Sequence, residues 1–246
     1  MKNANNWQPS KFTYRKGKLI GSRNPKEVAL SSRIMADAIA KNYDEYIKLH
    51  VKGNLLDLGC GKVPLYESYK QYISDNTCTD WGNSVHKNSY LDLEHDLNTT
   101  LPFADGQFDT IILSDVLEHI YQPLLLWREM HRVLKPQGKI LMNIPFYYWL
   151  HEVPFDYYRY TEHTLRRFAE ETNSTVHVLK PVGGVAEIWG DLMGKMLIRV
   201  PVVGKGLCIF TQFMTTTFSN SGIGRKLYQK TSSTFPFGYF MVVEKA

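Results

Sequence analysis

Cysteine is scarce in this chain: three among 246 residues, Cys60, Cys78 and Cys208. The number is odd and no C-x-x-C pair or Cys/His cluster occurs, which argues against a disulfide framework and a zinc site and fits a reducing compartment. No metal is expected. Long apolar runs are missing as well. The most apolar region, Ile188 to Met214, is broken by Asp191, Lys195, Arg199 and Lys205, whereas a spanning helix needs about 20 predominantly apolar residues. The opening residues, M-K-N-A-N-N-W-Q-P-S, lack the apolar stretch and cleavage site of an export signal. A cytoplasmic protein is expected, with the inner face of the membrane as the alternative. No excess of one charge stands out: 29 Lys and Arg against 24 Asp and Glu leave +5, compatible with an anionic substrate, a membrane surface or nucleic acid. Repeats, low-complexity tracts and a long linker are absent, so one domain over 1–246 is the simplest organisation.

What is present is an alternation of strand and helix signals. An N-terminal extension, 1–50, carries a helical pattern over 25–49, with Val28, Ile34, Met35, Ala38 and Ile39 forming an apolar stripe. Strands are expected at Leu55 to Leu58, near Thr77 to Thr79 and near Ser89 to Leu91, with a helix from about Leu65 to Tyr72. Stronger strand signals follow at Asp109 to Ser114 and Lys139 to Ile144, separated by a helical stretch from Pro123 to Leu134. Thr161 can cap a further helix, before strands at Thr175 to Leu179 and Gly238 to Glu244. This order implies an α/β fold with a mainly parallel sheet covered on both faces. Its core is 51–184 with 235–246, and 185–234 is a helical insertion before the last strand. In that insertion Ile188, Trp189, Leu192, Met193, Met196 and Leu197 share one helical face, while Glu187, Asp191, Lys195 and Arg199 share another.

The strongest local signal is L-L-D-L-G-C-G at Leu55 to Gly61, an apolar strand entering a turn with two glycines. Gly59 and Gly61 permit positive φ and close approach of a ligand at the carboxyl end of a strand. Asp80 lies 19 residues beyond Gly61, at the end of the next strand, where a carboxylate can accept hydrogen bonds from ribose hydroxyls. Adenosine binding is expected. Pro64 stands where the dinucleotide fingerprint needs its third glycine, and no G-K-[ST] follows, so neither a nicotinamide site nor a P-loop is indicated.

The ordered motifs resemble those of class I S-adenosylmethionine-dependent methyltransferases, type 11-like, over about residues 53 to 180 and the final strand. L-L-D-L-G-C-G resembles the first motif, T-D-W at 79–81 the ribose-binding acid, H-D-L-N at 95–98 the adenine-side acid, and L-P-F-A-D-G-Q-F-D at 101–109 the approach to the next strand. S-D-V-L-E-H at 114–119 and E-M-H-R-V-L-K-P-Q-G-K at 129–139 are similar to its later blocks. The resemblance implies a Rossmann-like seven-stranded sheet with its last strand antiparallel, and S-adenosyl-L-methionine as cofactor. It also implies that Asp57, Gly59, Cys60 and Gly61 surround the methionine part. Asp80 would take the ribose, Trp81 would pack near the adenine, Asp96 and Leu97 would meet its edge, and Asp115 and His119 would stand beside the methionine end. Lys62, Val63 and Pro64 replace the glycine often found after G-C-G.

In an open α/β sheet the chemistry lies outside the carboxyl ends of the strands. The segment there, Pro145 to Thr161, reads P-F-Y-Y-W-L-H-E-V-P-F-D-Y-Y-R-Y-T. It resembles a methyltransferase subgroup associated with surface-polysaccharide synthesis, in which H-E-x-P-x-D-x-x-R-Y-T recurs. A sugar hydroxyl attacking a sulfonium methyl needs alignment and a base. His151 is the first candidate base, Glu152 or Asp156 could orient or replace it, and Arg159 could hold an anionic group on the acceptor. Alternatively, Arg159 pairs structurally with Asp156 and His151 is a satisfied buried histidine. The expected acceptor is a small molecule or glycan, with no nucleic acid. RNA, a lipid or quinone acceptor, and a non-catalytic cofactor-binding subunit are the competing readings. For the insertion, packing on the core comes first, followed by a homodimer interface and peripheral membrane contact.

Overall fold

The computed structural model describes residues 1–82 and 89–246. A seven-stranded sheet is built from β3 (Gly53–Leu58), β4 (Ile73–Asp80), β5 (Leu93–Glu94), β6 (Phe108–Ser114), β7 (Leu134–Pro145), β8 (Ser174–Val182) and β9 (Gly238–Lys245), in the spatial order β5-β4-β3-β6-β7-β9-β8. The first five are parallel, and β9 inserts antiparallel to both β7 and β8. The expected sheet and its antiparallel last strand are therefore present. Strand order reverses between β3 and β6, the place where an open sheet leaves a crevice beyond its strand ends.

Neighbouring residues of the strands point to opposite faces and fill two apolar layers. Leu56, Ile111, Met142 and Met241 pack with Trp127 and Met130 of α3 (Pro123–Val133) and Leu165 of α4 (Glu162–Glu171). Leu55, Ile112, Leu141 and Val242 pack with Ile39, Tyr43 and Ile47 of α1 (Arg33–His50). Thr161 caps α4 as expected, its hydroxyl accepting from the Thr164 backbone N–H.

Several expected boundaries move. The first long helix starts at Arg33 rather than 25, after a 3₁₀ turn at Leu30–Ser32. The helix expected over 65–72 is the single turn α2 (Tyr66–Tyr69), because the chain enters β4 at Ile73. The strand expected at 89–91 lies at Leu93–Glu94, since Asp92 first bonds across to both backbone groups of Cys78. The extension also holds a hairpin of β1 (Phe12–Arg15) and β2 (Lys18–Gly21), turned by Lys16 and Gly17 at φ 52° and 74°. The insertion is three helices, α5 (Val185–Leu197), α6 (Gly204–Asn220) and α7 (Gly222–Thr231).

The layer assignment predicts the cost of truncating a fully buried strand residue. Ile112→Ala should destabilise by about 3 kcal/mol in urea unfolding. A cost below about 1 kcal/mol would place Ile112 outside the packed layer.

Candidate active site

The carboxyl end of β3 runs into Gly59-Cys60-Gly61, where the Gly59 and Gly61 φ angles are 65° and 49°. A side chain on Gly59 would lie 2.5 Å from Val116, so the backbone there must stay bare. The Gly59 and Cys60 N–H groups donate to the Thr79 carbonyl, and the Gly61 N–H donates to Asp80 Oδ2 at 3.0 Å. Asp80 Oδ1 accepts from the Trp81 N–H at 2.9 Å, so one buried carboxylate links the turn to the end of β4. Thiol chemistry is not indicated: hydrogen bonding to Cys78 and burial push the Cys60 thiol up.

These residues open into a cavity of about 630 Å³. Gly59, Cys60, Gly61, Asp80, Trp81, Asp96, Leu97, Asp115 and His119 line it, as do His151 and Glu152. Three of the expected residues do not. Asp57 lies behind the glycine turn, accepting from the Tyr69 hydroxyl at 3.2 Å. Burial raises its carboxyl to about 7 despite that bond. Asp156 and Arg159 are paired with each other, Nη1 to Oδ1 at 2.5 Å and Nη2 to Oδ2 at 2.8 Å. Arg159 is therefore committed to Asp156 instead of facing an acceptor. Asp96 caps a turn through the Asn98 N–H while still lining the cavity.

The Arg159 pairing prepares His151. Burial would raise Asp156, but Arg159 and the His151 backbone N–H outweigh it and hold the carboxyl at about 2. The ionised Asp156 Oδ2 lies 3.2 Å from His151 Nδ1, and the Trp149 carbonyl lies 3.3 Å from the same nitrogen. Both neighbours accept, so Nδ1 carries the proton and Nε2 carries the lone pair. Burial, with His119 adding to it, lowers the His151 imidazole from its ordinary 6.5, against the pull of Asp156. It is neutral near pH 7.

Two neighbours escaped the sequence reading. Glu118 is fully buried, and neither carboxylate oxygen has a hydrogen-bond partner among the described residues. Burial, and then Asp115, raises it well above the usual carboxyl range. Its Oε1 lies 3.8 Å from Nε2 of both His119 and His151. Ligand atoms of these three residues all lie within 4.8 Å of one another, a spacing that a divalent cation could draw together. Lys11 reaches from the extension to Asp115 Oδ2 at 2.6 Å; burial would lower its ammonium, but Asp115 prevails and raises it. Asp115 itself sits at φ 56°, with Asn143 Nδ2 donating to Oδ1. No local motif could show the Lys11 contact, because it spans 104 residues, whereas Glu118 was visible inside S-D-V-L-E-H.

Residues 56–142 match the methyltransferase domain family. The matched stretch runs from within β3 to within β7. The chain is similar to an uncharacterised methyltransferase of Mycolicibacterium gilvum, 30% identical over 116 residues, covering 42% of this chain and 44% of that one. It is also similar to the ubiquinone biosynthesis O-methyltransferase of Pseudomonas aeruginosa strain UCBPP-PA14, 29% identical over 99 residues, covering 36% and 43%. The matches thus span less than half the length of these curated relatives. Among solved structures, the fold is shared with an S-adenosylmethionine-dependent methyltransferase of Archaeoglobus fulgidus, with TM-score 0.53, 17% identity, and coverage of 85% and 92%. A Haloferax volcanii complex of the Trm112 activator with a methyltransferase gives TM-score 0.53 at 17% identity, covering 85% and 89%. The cavity fits S-adenosylmethionine: a bare glycine backbone, a strand-end carboxylate and an apolar wall of Trp81 and Leu97 are what its amino-acid, ribose and adenine parts require.

The buried Asp57 makes stability depend on pH. Its folded pKa is raised, so its proton is retained longer in the folded than in the unfolded state, and stability falls as pH rises from about 4 towards 7. Asp57→Asn should gain about 2 kcal/mol relative to the parent between pH 5 and pH 8 in thermal unfolding without cofactor. An equal difference at both pH values would contradict the burial account.

Proposed function

We propose that this protein is an S-adenosylmethionine-dependent O-methyltransferase acting on a hydroxyl of a sugar, nucleotide-sugar or glycan, in surface-polysaccharide synthesis. The observation that carries the reading is that His151, neutral and oriented by Asp156, shares one cavity with the glycine turn and Asp80. In it Gly59, Cys60 and Gly61 hold the amino-acid part, Asp80 the ribose, and Trp81, Asp96 and Leu97 the adenine. Asp115 and His119 flank the reacting end. The bound cofactor supplies an electrophilic methyl on a sulfonium. With the cofactor bound, His151 Nε2 would take the acceptor hydroxyl proton and so free the oxygen to receive the methyl that the cofactor would supply. Asp156, kept ionised by Arg159, stabilises the resulting imidazolium. Tyr148, Phe155 and Tyr157 on the cavity wall offer faces on which a sugar ring can lie.

A lipid-borne acceptor is the second reading, favoured by the exposed apolar face of the insertion described below.

The test is transfer of labelled methyl from S-adenosylmethionine into carbohydrate, lipid and RNA pools of fractionated extract, with Asp80→Ala as the control for the cofactor pocket. Label in carbohydrate that disappears in the control is expected. Label confined to RNA would overturn the acceptor assignment, and label confined to lipid would replace it with the second reading. With the acceptor in hand, His151→Ala should lower kcat about 100-fold with the cofactor KM nearly unchanged, and chelators should not affect the parent. Unchanged kcat would remove His151 from the chemistry.

The pH profile is a separate check. His151 must be neutral to act, so kcat should fall as pH drops through a midpoint below 6.5. Asp156 raises the imidazole, so Asp156→Asn should move that limb lower still. An acid limb at or above 7 would contradict the assignment.

A further inference from the structure

The two expected faces of α5 do not separate into one buried and one exposed. On α5 the charged Asp191 and Lys195 are buried and bonded to each other, and the Lys195 ammonium lies 4.0 Å from the Tyr148 ring centre and 5.0 Å from that of Trp149. Trp189, Leu192 and Met196 are turned outward, 62%, 51% and 59% exposed. Core packing of that stripe, the first expectation, holds only for half-buried members such as Ile188, which packs against the α1 layer; rings of the segment after β7 offer the ammonium a cation–π seat, and Trp189, Leu192 and Met196 are displaced to the surface.

The exposure continues beyond α5. Val200, Val202 and Val203 stand out at the α5–α6 turn, and Phe210, Phe213 and Met214 along α6. Such an apolar surface is larger than scattered surface residues would explain. It is accompanied by one sign of charge. No Asp or Glu occurs from 192 to 243. Arg199, Lys205, Arg225, Lys226 and Lys230 are exposed and form no ion pair with a described residue. Because Asp191 and Lys195 neutralise each other internally, the balanced charge read from the sequence does not reach the surface.

We infer that the outer face of the α5–α7 insertion docks on an anionic lipid bilayer, with the valine-rich turn and the α6 phenylalanines entering the apolar boundary and the flanking arginine and lysines meeting the headgroups. Apolar burial and basic charge are the two signals that peripheral attachment combines. A second copy of the chain suits the face less well, since a twofold interface would set the same acid-free basic patch against itself. No helix of the described residues is long and apolar enough to cross the bilayer, so the attachment is to one leaflet. The face also adjoins the segment that carries His151. The Arg199 guanidinium lies 5.6 Å from the Trp149 ring centre, and exposed Leu150 and Val153 flank His151 and Glu152 on the cavity wall. A membrane-borne acceptor would therefore meet the base from the lipid side.

Flotation of the full chain with vesicles tests this without reference to methyl transfer. The chain should float with phosphatidylglycerol-containing vesicles, less with pure phosphatidylcholine, and Phe210→Asp with Phe213→Asp should lower the floated fraction at least ten-fold while S-adenosylhomocysteine binding persists. If that variant fails to fold, tryptophan quenching of the parent by brominated lipid decides, and quenching is expected. Failure of the parent to float with anionic vesicles would overturn the proposal. So would flotation unaffected in the folded variant, absence of quenching, or a stable dimer in sedimentation that the variant dissociates while neither form floats.

Discussion

A single carboxylate organises the site. Asp80 ends β4, accepts the Gly61 N–H with one oxygen and the Trp81 N–H with the other, and so holds the glycine turn against the neighbouring strand at the place where strand order reverses. The cavity inherits its floor from that tie. Its other walls come from far along the chain: Lys11 from the extension anchors Asp115, and the segment after β7 brings His151 and Tyr148. Two charged pairs, Lys11–Asp115 and Arg159–Asp156, act on buried Glu118, and each fixes the orientation of a group beside or in the cavity.

The Asp191–Lys195 pair illustrates how a buried charge pair can set specificity more than stability. Taking both groups from water is costly, and replacing such pairs with apolar residues is often neutral or better. What the pair does here is decide which side of α5 faces inward. With the ammonium over Tyr148 and Trp149, the helix is locked in register with the segment that carries His151, and Trp189, Leu192 and Met196 are left on the surface. The insertion and the chemistry are thereby mechanically joined.

Local patterns were enough for the sheet and the glycine turn. Leu55 to Leu58, Asp109 to Ser114 and Lys139 to Ile144 are apolar runs whose strand character does not depend on distant contacts, and the glycine turn announces itself between strand and helix. The β1–β2 hairpin was also legible, in the alternation of Phe12 to Arg15 and Lys18 to Gly21 about Lys16-Gly17, but was passed over. The inward face of α5 was not: a 3.6-residue period separates two faces without saying which one is buried, and the answer depends on rings some 40 residues earlier in the chain. Between Pro145 and Thr161 the motif H-E-x-P-x-D-x-x-R-Y-T names His151, Glu152, Asp156 and Arg159 without giving the division of labour among them. Geometry divides it, with Arg159 on Asp156, Asp156 on His151, and Glu152 at the wall.

The central claim is that cofactor cradle and base address the same reacting atom. A crystal structure of the chain with S-adenosylhomocysteine tests it most directly. The account predicts the ribose hydroxyls on Asp80 and the sulfur directed along the cavity towards Asp115 and His151, with His151 Nδ1 still held by Asp156. A ligand bound with its sulfur turned away from His151, or lying outside the glycine turn, would contradict it.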